Sequence, residues 1–418
     1  MLRKIFIIFF ILVLLALGAY AFVYFTNKKA ADSIMSTVVS VQNYFPFGQG
    51  PSTVPAPTDT SSDTNTTPQE PGVPVAPPRL RQIYSSPVAG AGAFTIASTT
   101  VIRFVERTTG NLYEARTDLD IVERISNTTV PKVSEALFTQ PEIVVLRYLT
   151  DGSDVIETLH GSLATSSTST STPRTPTQLT TTYLSPNILG FVLSPAKTKA
   201  FSLIQSGSGT AGLLSNPNGT GQTPLFSSPI REWIPQWPKT DTITLTTKAS
   251  AQATGYLYFV NTSTGAMRGV LGGIYGLSTI TNPTTTKVLY SQANQTATGI
   301  VLRIYDTSSK ATATITSGAT IADKCVWGTK NTDVVYCAMP KEIPNAAYPD
   351  AWYKGQVSFN DTLWRIDTTT GNAQLLADIT AISKRDVDAF NMSLDPTERF
   401  LVFMNKKDLT LWSYDLLQ

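Results

Sequence analysis

The sequence predicts an all-β protein, a seven-bladed β-propeller, standing behind one N-terminal transmembrane helix and a Pro/Thr/Ser-rich linker. Three observations carry this prediction. From residue 79 to the C-terminus, turn residues alternate with β-branched and aromatic strands, and the strands fall into seven groups. The seventh group runs out of chain one strand short, while residues 80–84 lie ahead of the first group with nothing else to pair against. Residues 5–25 form an uninterrupted apolar run. Repeats of this kind name an architecture and leave its ligand almost unconstrained.

The chain has 418 residues, enough for a membrane segment, a tether and one large domain. Hydrophobic residues make up 42%, adequate for a real core. Charged residues make up 15%, where about 25% is usual in soluble domains. Thr, Ser and Asn supply the polarity instead, which suits a surface of strands and turns. A net charge of +2 without a dense Lys/Arg patch excludes nucleic acid as an expected partner.

Residues 1–4 are expected in the cytoplasm and residues 5–25 across the membrane. At about 1.5 Å per residue the apolar run crosses a hydrocarbon core of about 30 Å. The competing reading is a cleaved signal peptide at Ala19-Tyr20-Ala21. Against cleavage, Phe22-Val23-Tyr24-Phe25 keeps the segment apolar beyond that site. Arg3-Lys4 and Lys28-Lys29 nearly balance, so orientation rests on the short N-terminus and large C-terminal domain. The expected product is a single-pass membrane protein with an extracytoplasmic propeller.

Residues 26–45 are expected to continue as a juxtamembrane helical segment, because Ala30, Ile34, Val38 and Val41 recur at helical spacing. Residues 46–78 hold nine prolines and almost no large apolar side chain, so they are expected to be a disordered linker. At ~3 Å per residue such a spacer reaches roughly 100 Å from the bilayer.

The propeller domain is expected over residues 79–418, closed by an N-terminal strand at 79–85. The first group of strands covers 93–96, 101–105, 111–115 and 121–126. The second breaks into a Ser/Thr/Pro loop at 162–177. Groups three to seven centre on 201–204, 242–246, 288–290, 334–336 and 400–403. Six blades is the main alternative, and a two-sheet sandwich is disfavoured by so many similar hairpins in succession. The predicted closing strand pairs antiparallel with part of 409–415. Its alternation places Leu80, Gln82 and Tyr84 on one face and Arg81 and Ile83 on the other, a mixed pattern.

Two turn types recur. Glu106-Arg107-Thr108-Thr109-Gly110, Asn261-Thr262-Ser263-Thr264-Gly265 and Asp367-Thr368-Thr369-Thr370-Gly371 place Gly at one offset after a strand, with Asp306-Thr307-Ser308-Ser309-Lys310 as a fourth copy. These read as hairpin chemistry rather than metal loops. Leu193-Ser194-Pro195-Ala196-Lys197, Asn282-Pro283-Thr284-Thr285 and Leu394-Asp395-Pro396-Thr397-Glu398 each precede a hydrophobic strand. In these three segments the chain resembles the repeat of TolB-like and WD40-like bacterial β-propellers, in which a Ser-Pro-Asp-Gly turn joins the innermost strand to the second. Asp-Gly is replaced here in every copy. The resemblance implies a protein-binding platform of the envelope, some relatives being fused to hydrolases.

The inventory for chemistry is poor. His160, the only histidine, reads as a residue at the start of the Ser/Thr loop and cannot alone make a multi-histidine metal site. Ser194 and Lys197 have Ser-x-x-Lys spacing, which the turn explains better than acyl transfer does. No catalytic residue, cofactor or metal site is expected. Cys325 and Cys337 flank a hairpin turn, so a structural disulfide is expected ahead of two buried thiols. Tyr348, Trp352 and Tyr353, in an insertion between the second and third strands of blade six, are the candidate partner-binding residues, set against a role in pinning the loop. Trp233 and Trp237 read as packing between blades.

The leading expectation is a non-catalytic protein-binding scaffold in the cell envelope. The alternative is a glycan-binding or glycan-cleaving propeller, with Trp352, Tyr353 and Trp237 as stacking surfaces. A polar funnel with facing carboxylates would favour the alternative; a plugged channel would not.

Overall fold

The computed structural model describes residues 77–150, 152, 155–164 and 175–417. The membrane segment at 5–25, the helical segment at 26–45 and nearly all of the linker lie outside the described residues. Those residues form seven four-stranded antiparallel sheets. The first strand of one sheet packs against the first strand of the next in six of the seven neighbouring pairs, and blades two and three meet through the third strand of one and the first of the other, so the first strands line the axis. The protein is a seven-bladed β-propeller, and six blades is excluded.

The innermost strands, in blade order, are Val88–Ile96, Val133–Gln140, Ile188–Leu193, Trp233–Lys239, Ser278–Thr281, Cys325–Trp327 and Ala389–Leu394. Burial is greatest in the second strands, because both their faces meet an adjacent blade. Phe400–Asn405 is buried at all six positions, and Ile243 and Leu245 are fully enclosed in blade four. Each such aliphatic or aromatic side chain contributes about 1.5–3 kcal/mol on burial. Where blades one and two touch most closely, Gly90 is required. A Cβ there would stand 2.1 Å from the Ala136 carbonyl oxygen.

Blade seven is completed by the other end of the chain. Strand Leu80–Tyr84 pairs antiparallel with Leu411–Asp415, Leu80 opposite Tyr414 and Tyr84 opposite Leu411. A bulge between Gln82 and Tyr84 breaks strict alternation, which lets both Leu80 and Ile83 be buried and resolves the mixed pattern. Arg81 is buried too. Its guanidinium donates to the carbonyls of Arg116 and Leu119 at 2.7 and 2.9 Å and pairs with Asp120 at 2.7 Å, tying blade seven to blade one. Tyr84 packs on the same neighbour, 4.8 Å from Phe104 between ring centroids.

The proline turns join first to second strands in blades three, five and seven, as the resemblance implies. In each, the side chain of Ser194, Asn282 or Asp395 accepts a backbone N–H from the residue five places on or its neighbour. The position where the repeat family carries Gly has positive φ here as well: 56° at Lys197, 61° at Thr285 and 56° at Glu398. An L-residue in that region costs about 1–2 kcal/mol, most severely when β-branched. Thr285→Gly is therefore expected to stabilise the fold by about 0.5–1 kcal/mol after the entropy of Gly is subtracted, read from urea unfolding. Glu398 is different, since its carboxylate accepts the backbone N–H groups of Thr329 and Lys330 in blade six.

The Gly-offset turns are less uniform than their sequences. Glu106–Gly110 follows a second strand, whereas the turns at 261–265, 306–310 and 367–371 follow third strands and so lie on the opposite face. The chemistry is shared even so. Asp306 and Asp367 each accept two backbone N–H groups from their own turn, which holds both carboxyls below their ordinary range.

Candidate functional site

The insertion of blade six runs from Lys341 to Asn360 and contains one short helix, α1 (Asp350–Tyr353). It lies on the face that also carries the connections between successive blades. Asp350 accepts the Ala251 N–H of blade four at 2.7 Å. Tyr353 donates its hydroxyl to Asp323, whose other carboxylate oxygen accepts Ser278 Oγ of blade five at 2.6 Å. Trp352 Nε1 donates to Asp388, at the entry to blade seven, at 2.9 Å. One insertion thus braces blades four, five and seven. Burial raises the Asp323 carboxyl above its ordinary range, and burial together with facing Asp323 holds the Tyr353 hydroxyl well above its own.

Beneath the insertion sits a charge cluster sealed from solvent. Lys324, Asp361 and Asp388 are each 0% exposed. Lys324 Nζ donates to Asp361 Oδ2 at 2.8 Å, to the Ala389 carbonyl at 2.9 Å and to Asp388 Oδ1. Asp388 Oδ2 accepts both Trp352 Nε1 and the Phe359 N–H at 2.9 Å. Asp361 Oδ2 also accepts the Ala389 N–H at 2.6 Å, while its Oδ1 accepts no hydrogen bond. The ammonium stands 5.3 and 5.2 Å from the ring centroids of Trp352 and Phe359. Two carboxylates share one hydrogen-bonded ammonium in a dry site, with Lys406 Nζ farther off, 5.1 Å from the Trp352 ring centroid, so burial and then Asp388 push Asp361 up to about 6.

The three aromatic residues singled out from sequence are therefore placed unequally. Tyr348 and Trp352 are enclosed, at 1% and 0% exposure, and only Tyr353 is half-buried. Trp237 lies near the far end of its innermost strand, on the opposite side of the propeller from the insertion, so it cannot join them in one stacking surface. Trp233 is core, 5.8 Å from Tyr258 between ring centroids.

Cys325 and Cys337 face each other in register and form a disulfide, with Cα atoms 4.1 Å apart. The bridge ties the innermost strand of blade six to the second. Cys325→Ala with Cys337→Ala is expected to cost about 2–4 kcal/mol in unfolding free energy, measured against the untreated oxidised chain. His160 is not a loop residue. It sits inside strand Ile156–Leu163, opposite Val145 and Thr182, and burial lowers its pKa. Ser194 and Lys197 belong to a turn, with Ser194 Oγ accepting the Lys199 N–H and Lys197 Nζ 5.1 Å from the Phe94 ring.

The axial strands carry little acid–base chemistry. Their only carboxylate is Glu135, which is paired with buried Arg147. Among the described residues no group of three or more His, Cys, Asp and Glu is arranged to hold a metal ion.

The insertion is not the only element on this face. A second helix, α2 (Ile379–Ser383), follows the last strand of blade six, capped by Asp378, whose Oδ1 accepts the Ala381 N–H at 2.9 Å. Lys341 of the insertion pairs with Asp378 at 2.6 Å, joining the two elements. On this support Ile382 is 56% exposed, flanked by exposed Lys384 and Arg385. The short run Ile379-Thr380-Ala381-Ile382 ahead of three charged residues was the available signal.

No family model matches the chain, and no curated protein sequence matches it. Solved structures do. The β-propeller domain of the Trilobed protease from Pyrococcus furiosus, described as having an open velcro topology, is 10% identical with a TM-score of 0.50, covering 80% of this chain and 95% of that one. Oligogalacturonate lyase from Vibrio parahaemolyticus is 9% identical with a TM-score of 0.49, covering 81% and 94%. TolB from Acinetobacter baumannii is 10% identical with a TM-score of 0.41, covering 78% and 79%. The likeness is one of fold. It fixes neither an activity nor a partner.

Proposed function

We propose that the chain is a membrane-anchored, extracytoplasmic scaffold that binds a protein partner in the cell envelope without catalysing a reaction. The observation that carries this reading is Ile382, an exposed apolar side chain with cationic neighbours on a helix made rigid by its Asp378 cap and the Lys341 bridge. A preformed apolar anchor with a charged rim is the arrangement that concentrates binding energy at protein interfaces. The residues 5–25 and the linker at 46–78 would place this face at a distance from the bilayer.

The glycan reading draws on the same fold but finds less support in the residues. Stacking needs exposed aromatic faces, and of the expected stacking residues Trp352 is enclosed, Tyr353 is half-buried and Trp237 is on the other side, while the exposed rings of Tyr183, Tyr256 and Tyr275 are split between blades two and four. Cleavage needs facing carboxylates, and the axis offers Glu135 alone, already paired. The test offers the purified chain a panel of neutral and acidic polysaccharides, oligogalacturonate included, and reads both binding and new chain ends. Neither is expected. Saturable binding or turnover would replace the scaffold with the glycan reading.

A further inference from the structure

The buried cluster holds the parts of a spontaneous condensation. An amine, a carboxyl group and a second carboxyl group able to move protons are in mutual contact, closed off from water. We propose that Lys324 and Asp361 become joined by an intramolecular isopeptide bond, with Asp388 as the catalytic proton carrier, so that blade six carries a second covalent cross-link beside its disulfide.

Geometry assigns the roles. Lys324 Nζ is 2.8 Å from Asp361 Oδ2, within reach of the carboxyl carbon, and the Ala389 carbonyl at 2.9 Å holds the amine in place. Asp388 touches the same nitrogen through Oδ1, while its Oδ2 is fixed as an acceptor by Trp352 Nε1 and the Phe359 N–H. Those two donors leave Oδ1 turned toward the amine, which makes Asp388 the base. Asp361 has an oxygen without any donor and is the group that burial drives toward its neutral acid, the better electrophile. The Ala389 N–H, 2.6 Å from Asp361 Oδ2, is aimed where negative charge develops as the carboxyl carbon becomes tetrahedral. The rings of Trp352 and Phe359 complete the water-free wall.

The step balances within these three side chains. Asp388 takes a proton from the Lys324 ammonium, and the freed lone pair forms the Nζ–Cγ bond to protonated Asp361. Asp388 returns its proton to the departing hydroxyl, the C–O bond breaks, and water leaves. The new amide nitrogen then gives up its surplus proton to Asp388, which ends neutral. No oxidant, cofactor or activated intermediate is required. Contact and fixed orientation replace activation, as in other intramolecular reactions with high effective concentration. The product ties the entry of blade six to its third strand, 37 positions away and directly beside the Cys325–Cys337 bridge.

The experiment is peptide mapping of the full chain, purified from membranes, reduced and digested with trypsin. The expected product is one branched peptide, 311–330 joined to 355–365, lighter than its two parts by one water and uncut after Lys324. Linear peptides 311–324 and 355–365 in full yield would overturn the proposal. A branch to 386–399 would overturn it too, because Asp388 would then be the acceptor. Asp388→Asn is expected to restore cleavage after Lys324 while Lys324 and Asp361 remain. A branched peptide in that variant would remove Asp388 from the reaction. The wild-type digest decides the main question even if the variant does not fold.

Discussion

A chain lacking residues 79–85 is expected to lose most of its folding stability or its solubility, whereas a chain lacking residues 50–70 is expected to melt where the intact chain does. The deletion removes the pairing with Leu411–Asp415, the burial of Leu80 and Ile83, and the Arg81 bridge into blade one. Two buried aliphatic side chains alone are worth about 3–6 kcal/mol. The loss also exposes the edge of Leu411–Asp415, a strand buried at all five positions, to pairing with other chains. The comparison uses Tm and the soluble fraction of both deletions. Equal values would remove terminal closure as a source of stability, since the longer deletion at 50–70 controls for chain shortening.

Replacing Lys324 by Met is expected to cost about 3–5 kcal/mol, because Asp361 and Asp388 are then enclosed without the nitrogen that holds them both, whether Lys324 is joined to Asp361 or paired with it. The consequence should reach beyond blade six. Asp388 orients Trp352 and the Phe359 N–H, so the insertion that braces blades four, five and seven loses its seat. Unfolding in urea gives the free energy, and hydrogen exchange at Ala251 and Phe359 reports the insertion directly, as the Ala251 N–H donates to Asp350 of the insertion and the Phe359 N–H, within it, to Asp388. A change below about 1 kcal/mol, the range of an exposed pair, would mean that the cluster is hydrated in solution.

The blade count and the closing strand were legible because both are written in local alternation and in an arithmetic of strands: seven groups, one strand missing at the end, one spare at the start. The insertion was legible as an interruption. Its role was not. Dense aromatic residues in a loop announce contact area, and nothing in 345–355 says that Tyr348 and Trp352 spend it inward. The partners that decide this for Trp352, Asp388 and Lys324, lie on other connections and read in isolation as ordinary turn residues, while Tyr348 turns back on Pro344 and Phe359. The same limit explains His160, whose strand was hidden by the Ser/Thr loop beginning two residues on. It also explains the Gly-offset turns, whose sequence records the turn but not which pair of strands it joins. Ile382 is not legible because five helical residues between strands give too short a pattern to register as an element.

The scaffold reading rests most directly on the face that carries Ile382. Full-length chain, tagged and isolated from its native membranes after mild cross-linking, is compared with a variant carrying Ile382→Asp and Lys384→Glu. Both side chains are exposed, so the variant is expected to keep its Tm. The account predicts a defined protein partner recovered with the unaltered chain and reduced at least about tenfold with the variant, the loss expected when an interface anchor worth about 1.4 kcal/mol or more is removed. Recovery of no protein above background, or equal recovery with both chains, would contradict it.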